Sequence, residues 1–278
     1  MKRVLWMIAA AGLAAAASAE PFPSPERLLG ELTDPLASLT AGNREEDLRD
    51  SLNALPRSAA LEAGLRDTSV IARLAAVRAA ARPRNVDSVP YLSGIMLRLD
   101  QPSRLRAAAA LALGRIGDRI AVGALSEALK DPSAEVRAAA ALALGGLPAD
   151  GVVTRLESTL RSDSAWQPRY AAAVALGRAR KTFADVALID ALLCDPAWQV
   201  RQQAARSLMD LATERAAEAL ASSLDDPEPS VRAAAGVALA EIGAPAERRA
   251  AARALRAETD PSVRAVVVVA RRRSLPFP

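Results

Sequence analysis

Aspartate and arginine recur together along this chain of 278 residues. In six segments an Asp is followed by an Arg six positions later: Asp67 and Arg73, Asp100 and Arg106, Asp131 and Arg137, Asp163 and Arg169, Asp195 and Arg201, and Asp226 and Arg232. A seventh pair, Asp260 and Arg264, is two residues closer. Identity in every copy is what a stacking element requires. We therefore expect these residues to be structural, and a binding site to lie where the copies differ.

Composition excludes several kinds of chemistry. The chain contains no His, which rules out Ser-His-Asp and Cys-His nucleophile systems and every His-ligated metal site. Its single cysteine, Cys194, cannot form an internal disulfide. We interpret it as a substitution for the Lys130 of another copy, and the alternative is a reactive thiol near the two tryptophans. We predict no catalytic residues, no metal ligands and no cofactor. The formal charge of +4 falls to +2 without Lys2 and Arg3, so we predict no nucleic-acid partner.

Two copies differ from the rest and provide the candidate site. They read Trp166-Gln167-Pro168-Arg169-Tyr170 and Trp198-Gln199-Val200-Arg201-Gln202-Gln203. Aromatic and amide side chains together suit recognition of a peptide or a glycan, because they combine a large contact area with polar orientation. We predict partner binding at Trp166, Gln167, Tyr170, Trp198, Gln199, Gln202, Gln203 and Arg206. The alternative is that the tryptophans pack against adjacent loops.

The elements that position these residues repeat with a regular period. The arginines step by 33, 31, 32, 32, 31 and 32 residues from Arg73 to Arg264. Before most of the aspartates come leucines four apart, which share a helix face: Leu61 and Leu65, Leu125 and Leu129, Leu156 and Leu160, Leu188 and Leu192, and Leu220 and Leu224. Asp-Pro then ends this first helix. A second helix follows, which we expect Ser133 to cap in one copy and Gly117 and Gly243 to end in others.

One face of the second helices is predicted to be accessible. If Val136, Ala140, Ala143 and Leu144 are buried, the opposite face contains the positions one and five residues after each arginine. The first of these columns is Leu74, Ala107, Ala138, Tyr170, Gln202, Ala233 and Ala265, and the second is Arg78, Leu111, Leu142, Val174, Arg206, Val237 and Val269. These columns contain no carboxylate and are mostly apolar. They form either an interaction surface or a set of side chains that cover one another.

The pattern Asp-Pro-x-x-x-Val-Arg-x-Ala-Ala-x-Ala-Leu-Gly resembles the short HEAT-like repeats first associated with phycobilin lyases. The resemblance covers about Arg57 to Arg271. It implies an all-α, right-handed α-solenoid of about seven helix-pair repeats of roughly 32 residues, with the second helices lining the concave side. It also implies that Asp and Arg form a ladder of hydrogen bonds between consecutive repeats. The lyases act on bilins, but we see no residues that would support that activity here.

The first residues resemble a secretory signal. Lys2 and Arg3 precede an uncharged run, Val4 to Ala17, and Ala17-Ser18-Ala19 offers a cleavage site before Glu20. The alternative is a frayed N-terminal helix of the folded domain. We expect a periplasmic or secreted protein without an integral membrane span after cleavage.

The sequence thus divides into four parts. They are a signal peptide (1–19), a linker with a degenerate capping repeat (20–56), the repeat array (57–270) and a basic tail (271–278). We expect a non-enzymatic scaffold of the cell envelope that binds a peptide or partner protein on its concave face. The alternative is an enzyme, or an accessory subunit of one, that acts on an envelope substrate. That alternative needs converging carboxylates, which the accessible columns lack.

Overall fold

The structure is a computed structural model and describes residues 64, 66–149, 151–179 and 184–257. The predicted signal peptide (1–19), capping segment (20–56) and tail (271–278) lie outside the described residues, as do the pairs Leu61/Leu65 and Asp260/Arg264. The described residues form α-helices, short 3₁₀ turns and loops, without strands. They divide into two compact units, which meet in sequence between Ala175 and Leu176.

The first unit contains the helices α1 (Val70–Ala80), α2 (Val89–Leu97), α3 (Ser103–Ile116), α4 (Ala121–Ala128), α5 (Ala134–Leu144) and α6 (Val152–Ser162). Helix α7 (Trp166–Ala179) begins in this unit and ends in the second. The second unit contains α8 (Asp185–Cys194), α9 (Trp198–Leu211), α10 (Glu214–Ser222), α11 (Pro229–Ile242) and α12 (Pro245–Ala257). Two 3₁₀ turns, Val86–Ser88 and Ser223–Asp225, precede α2 and follow α10.

The helices pack as a stack of pairs within each unit, which confirms the predicted α-solenoid class. In the first unit the second helices α1, α3 and α5 lie side by side, and α2 packs on α4. In the second unit α9 packs on α11, and the first helices α8, α10 and α12 follow one another. Each pair buries its apolar stripe against its neighbours, so the core is continuous along a stack.

Leucines supply the inward face of the first helices, as their spacing predicts. Leu125, Leu156, Leu160, Leu188, Leu192 and Leu220 are buried, while Leu129 and Leu224 are half-buried. The first helices end close to the repeat aspartates. Asp163 and Asp195 have nearly the same extended backbone, with φ near −65° and ψ of 131°. Since Asp163 is followed by Ser rather than Pro, proline is not required for this break.

Glycines let successive second helices approach closely near their C-terminal ends. A Cβ added to Gly114 would lie 2.7 Å from the Ala143 Cα, and one added to Gly145 would lie 2.5 Å from the Ala175 Cβ. In the second unit, a Cβ on Gly177 would lie 2.6 Å from the Ser207 hydroxyl oxygen. The Leu-Gly ending of the repeat is therefore a contact between helices. Gly117, which follows α3, has a different role, because it supplies a left-handed residue with φ of 77°.

Candidate partner-binding surface

The repeat aspartates and arginines form rungs between consecutive repeats. In the first unit, Arg106 Nε and Nη2 donate to both oxygens of Asp131 at 3.0 and 2.8 Å. Arg137 binds Asp163 in the same way at 2.8 and 2.9 Å. The second unit repeats the geometry with Arg201 and Asp226, at 2.8 and 2.9 Å. These bidentate pairs confirm the ladder that the resemblance implies.

Each rung also fixes the loop between the two helices of a repeat. Arg137 Nη1 donates to the carbonyls of Asp131 and Pro132, and Asp131 Oδ1 accepts from the Ser133 backbone N–H at 2.8 Å. Ser133 occupies the N-cap position as predicted, but its side chain makes no capping hydrogen bond. The prediction of a serine cap is wrong, because the aspartate two residues earlier already orders this turn.

The rung hydrogen bonds determine the charge state of Asp163. Burial raises its pKa, but the hydrogen bond from Arg137 and the one from the Ala165 N–H outweigh burial, so the pKa lies below its ordinary value. The same hydrogen bond raises the pKa of Arg137. Both groups are therefore charged at neutral pH, which keeps the rung intact.

The first rung is open. Asp100, the partner expected for Arg73, instead pairs with Arg98 at 2.6 Å, and both of these side chains are more than half exposed. The separation from Arg73 to Asp100 is 27 residues, whereas the closed rungs span 25 or 26. The longer connection between Arg73 and Asp100 accompanies the loss of their pairing. Identity of the repeat residues predicts a closed rung here, and that prediction is wrong.

The column one residue after each arginine is buried, which corrects the predicted accessible face. Its described members Leu74, Ala107, Ala138, Tyr170, Gln202 and Ala233 are all buried. The column five residues after the arginine is intermediate, because Leu142 and Val174 are buried while Arg78, Leu111, Arg206 and Val237 are half-buried. Close packing of neighbouring second helices turns the first column inward and leaves the second column partly accessible.

In the first unit, the candidate residues lie at the start of α7. Trp166 and Gln167 are half-buried, whereas Tyr170 is only 5% exposed. The rings of Trp166 and Tyr170 meet edge to face, with centroids 6.3 Å apart and planes at 84°. The buried Tyr170 ring thus packs against the Trp166 ring. The partly accessible side chains at the start of α7 are those of Trp166 and Gln167.

In the second unit, the other candidates lie along α9. Trp198, Gln199, Gln203 and Arg206 are half-buried, and Gln202 is 6% exposed with its amide 3.4 Å from the Ser230 carbonyl. Gln203 donates to the Ser207 hydroxyl at 3.1 Å. Gln199, Gln203 and Arg206 therefore make the accessible side of α9 polar, and at the position of Gln203 the copies in α5 and α11 carry alanine, Ala139 and Ala234.

A buried carboxylate escaped the sequence analysis. Asp185 begins α8, is fully buried, and accepts hydrogen bonds from the Thr213 hydroxyl and Arg215 Nη2, both at 3.0 Å. Thr213 also caps α10 by accepting from the Ala216 N–H. This cluster ties the starts of two successive first helices together. Asp185 occupies none of the repeated aspartate positions. An acidic residue outside the repeat pattern was the one sequence signal for this cluster.

Cys194 is exposed at the end of α8, where it occupies the position of the exposed Lys130. Across the described ranges, no three histidine, cysteine or carboxylate side chains are gathered as metal ligands would be. Nor does any described helix combine the length and the apolar character needed to span a membrane.

Comparison with known proteins identifies the repeat. The profile of the HEAT-repeat family matches residues 94–177 and 186–271, more than half of the chain, and the chain belongs to this family. None of the curated proteins matches it. Among solved structures, the complex of CpcE and CpcF of phycocyanin lyase from Nostoc sp. PCC7120 is similar, at 23% identity and a TM-score of 0.50, over 78% of this chain and 95% of that one.

A second similar structure is the YibA protein of Escherichia coli. It is 19% identical, with a TM-score of 0.53, over 84% of this chain and 98% of that one. At these identities the similarity concerns the fold.

Proposed function

We propose that this HEAT-repeat protein is an exported, non-enzymatic scaffold that binds a peptide or protein partner through accessible residues of its second helices. One observation carries the proposal. Trp166 and Trp198 stand half-buried at the first position of α7 and α9, each followed by a half-buried glutamine. At the same position the other described copies carry Val70, Ser103, Ala134 and Pro229. Recognition residues are expected where repeats differ, since identity between repeats serves stacking.

The chemistry of these positions suits a protein partner. A tryptophan that is partly accessible offers a large apolar area at a small loss of side-chain entropy, and it is enriched among the residues that dominate binding energy. The neighbouring amides of Gln167 and Gln199 can donate to and accept from a peptide backbone. In the closed rungs, by contrast, the charged groups bind each other between consecutive repeats, at 2.8 to 3.0 Å.

A capture experiment tests the binding role. Tagged protein from Glu20 to Pro278 is compared with a variant that combines Trp166→Ala, Gln167→Ala, Trp198→Ala and Gln199→Ala. Tyr170 stays in place because its burial makes it a packing residue. A control variant removes the exposed apolar side chains of α8, Val186→Ala and Leu193→Ala. We expect the control variant to retain the partner. The variant with four substitutions should lose the partner but keep the circular dichroism spectrum of the native helical protein.

Equal capture by all three proteins, or capture by none, would contradict the proposed surface. Export is tested separately by N-terminal sequencing of the protein recovered from the periplasm or the medium. We expect Glu20, and a chain that begins at Met1 and stays in the cytoplasm would contradict export.

A further inference from the structure

The open first rung leaves an arginine prepared for a carboxylate that the repeat does not provide. Arg73 Nη1 donates to the carbonyls of Asp67 and Thr68 at 2.6 and 3.1 Å, as Arg137 Nη1 does to Asp131 and Pro132. In the closed rungs, Nε and Nη2 of the arginine then hold both oxygens of an aspartate. Arg73 Nε, however, is buried and has no hydrogen-bond partner among the described residues.

An unpaired acceptor lies at the same junction. Gln101 follows Asp100 in the loop that is equivalent to the aspartate loop of a closed rung, and its Oε1 is buried without a partner in the described part of the chain. An unsatisfied buried donor or acceptor costs about 1–3 kcal/mol, so native structures seldom keep two of them at one place. Together they indicate a site that is completed by another molecule.

Exposed apolar side chains surround this junction. Four of the nine large apolar side chains that are exposed in the described residues lie at the start of α1, at the end of α2 or in the loop before α3. Val70 and Ile71 begin α1, and Leu97 and Leu99 lie at the end of α2 and in the loop before α3, with exposures of 37, 46, 45 and 65%. The ends of α1 and α3 are joined by the Arg84 N–H and the Ile116 carbonyl at 3.1 Å, so the two helices run in parallel and begin at the same edge. Such clustering marks an interaction surface, whereas single exposed residues do not.

We propose that Val70, Ile71, Arg73, Leu97, Leu99 and Gln101, which we name the first-rung surface, bind a segment of a partner protein in which an acidic residue is flanked by apolar residues. The partner's carboxylate takes the place of the missing aspartate on Arg73. Its apolar residues cover Ile71 and Leu99. None of these residues belongs to α7 or α9, so the inference does not rest on the proposed function of those two helices.

Two features favour a peptide over another anionic ligand. A carboxylate satisfies Arg73 Nε but not the Gln101 oxygen, which needs a donor, and a peptide backbone N–H supplies one. Charge complementarity points the same way. Arg66 and Arg104 are exposed close to the first-rung surface, whereas Asp67 already accepts from the Ser69 N–H and Asp100 is neutralised by its ion pair with Arg98.

Selection from a random peptide library displayed on phage tests the proposal. The probe is the displayed library, the bait is the protein from Glu20 to Pro278, and counter-selection uses the variant Ile71→Ser with Leu99→Ser. Both of these side chains are exposed, so the variant should fold normally. We expect the retained peptides to share an Asp or Glu next to apolar residues.

A thermodynamic cycle then locates the carboxylate. Exchanging the acidic residue of a retained peptide for its amide should weaken binding to the native protein about tenfold, the loss of one pair of charge-assisted hydrogen bonds. The same exchange should have a smaller effect on binding to Arg73→Lys, which keeps the charge but loses the bidentate hydrogen bonds of the planar fork. Arg137→Lys is the matched control, because its rung is already closed, and it should preserve the tenfold effect.

Four outcomes would overturn the proposal. They are retained peptides without an acidic residue, no retained peptides, equal binding by the counter-selection variant, and an amide effect as large in Arg73→Lys as in the native protein. Self-association that Ile71→Ser with Leu99→Ser abolishes would assign the surface to a second copy instead. The variant with Trp166→Ala and Trp198→Ala should bind the peptides normally, which separates this test from that of the proposed function.

Discussion

At the scale of single residues, the rungs decide which charged groups serve the fold. Arg137 and Asp163 satisfy each other across two repeats, and their remaining donors and acceptors are used by the backbone of the adjoining loops. Removing the carboxylate would leave a mostly buried guanidinium without its partner, which costs about 2–3 kcal/mol for a hydrogen bond to a charged group. The repeated Arg–Asp pairs of this protein therefore stabilise its fold.

The depressed pKa of Asp163 gives the rung a defined pH dependence. Because the folded pKa lies below the unfolded value of about 3.9, the ionised rung adds stability that is complete above about pH 4 and is lost as the pH falls through the folded pKa. We expect Asp163→Asn to be less stable than the native protein near neutral pH and the difference to shrink in acid. Urea unfolding of both proteins across this pH range measures it. A difference that stays constant into strong acid would contradict the assignment.

Two helix ends test the cost of a left-handed residue. Ala212 ends α9 with φ of 53°, whereas Gly117 ends α3 with φ of 77° and has open space around its missing Cβ. Ala212→Gly should raise the free energy of unfolding, and Gly117→Ala should lower it, each by about 1 kcal/mol. Thermal unfolding of the two variants gives the answer, and changes of the same sign in both would show that strain does not dominate at these ends.

At the scale of elements, the period and the leucine spacing predict the helix pairs, because a repeated stripe can be buried only by stacking. The accessible face was harder to predict. Tyr170 and Gln202 were expected to face outward, yet both are buried, since the glycines at the ends of α5 and α7 draw successive second helices close together. Helix periodicity shows which residues share a face, but it does not show how wide the buried face becomes when neighbours approach this closely.

The close approach of second helices should not tolerate one added methyl group. Gly145→Ala would place a Cβ 2.5 Å from the Ala175 Cβ and 2.7 Å from its Cα, so backbone must shift. We expect a loss of about 1–3 kcal/mol, typical of overpacking. The matched control is Gly123→Ala in the exposed part of α4, where nothing lies within 4 Å of an added Cβ. Chemical denaturation of both variants decides this, and equal stabilities would show that the helices can move apart freely.

At the scale of the whole molecule, the sequence predicts the α-solenoid class correctly, because seven copies of one pattern leave few alternatives. It did not predict the open first rung. That feature depends on one or two extra residues between Arg73 and Asp100 and on the partner that Asp100 then finds, and a repeat pattern averages such differences away. The membership in the HEAT-repeat family likewise identifies the architecture, while the proposed binding role depends on the few positions where the copies differ.

Site-specific photo-crosslinking in living cells tests the binding role most directly. In one variant a photoreactive amino acid replaces Gln199, on the accessible side of α9. In the control variant the same photoreactive amino acid replaces Glu218, which is exposed on α10, the first helix of a repeat in the same unit. The proposed function predicts a defined crosslinked protein from the Gln199 position and none from the Glu218 position. Identical products from both positions, or no product from Gln199, would contradict a partner-binding face on the second helices.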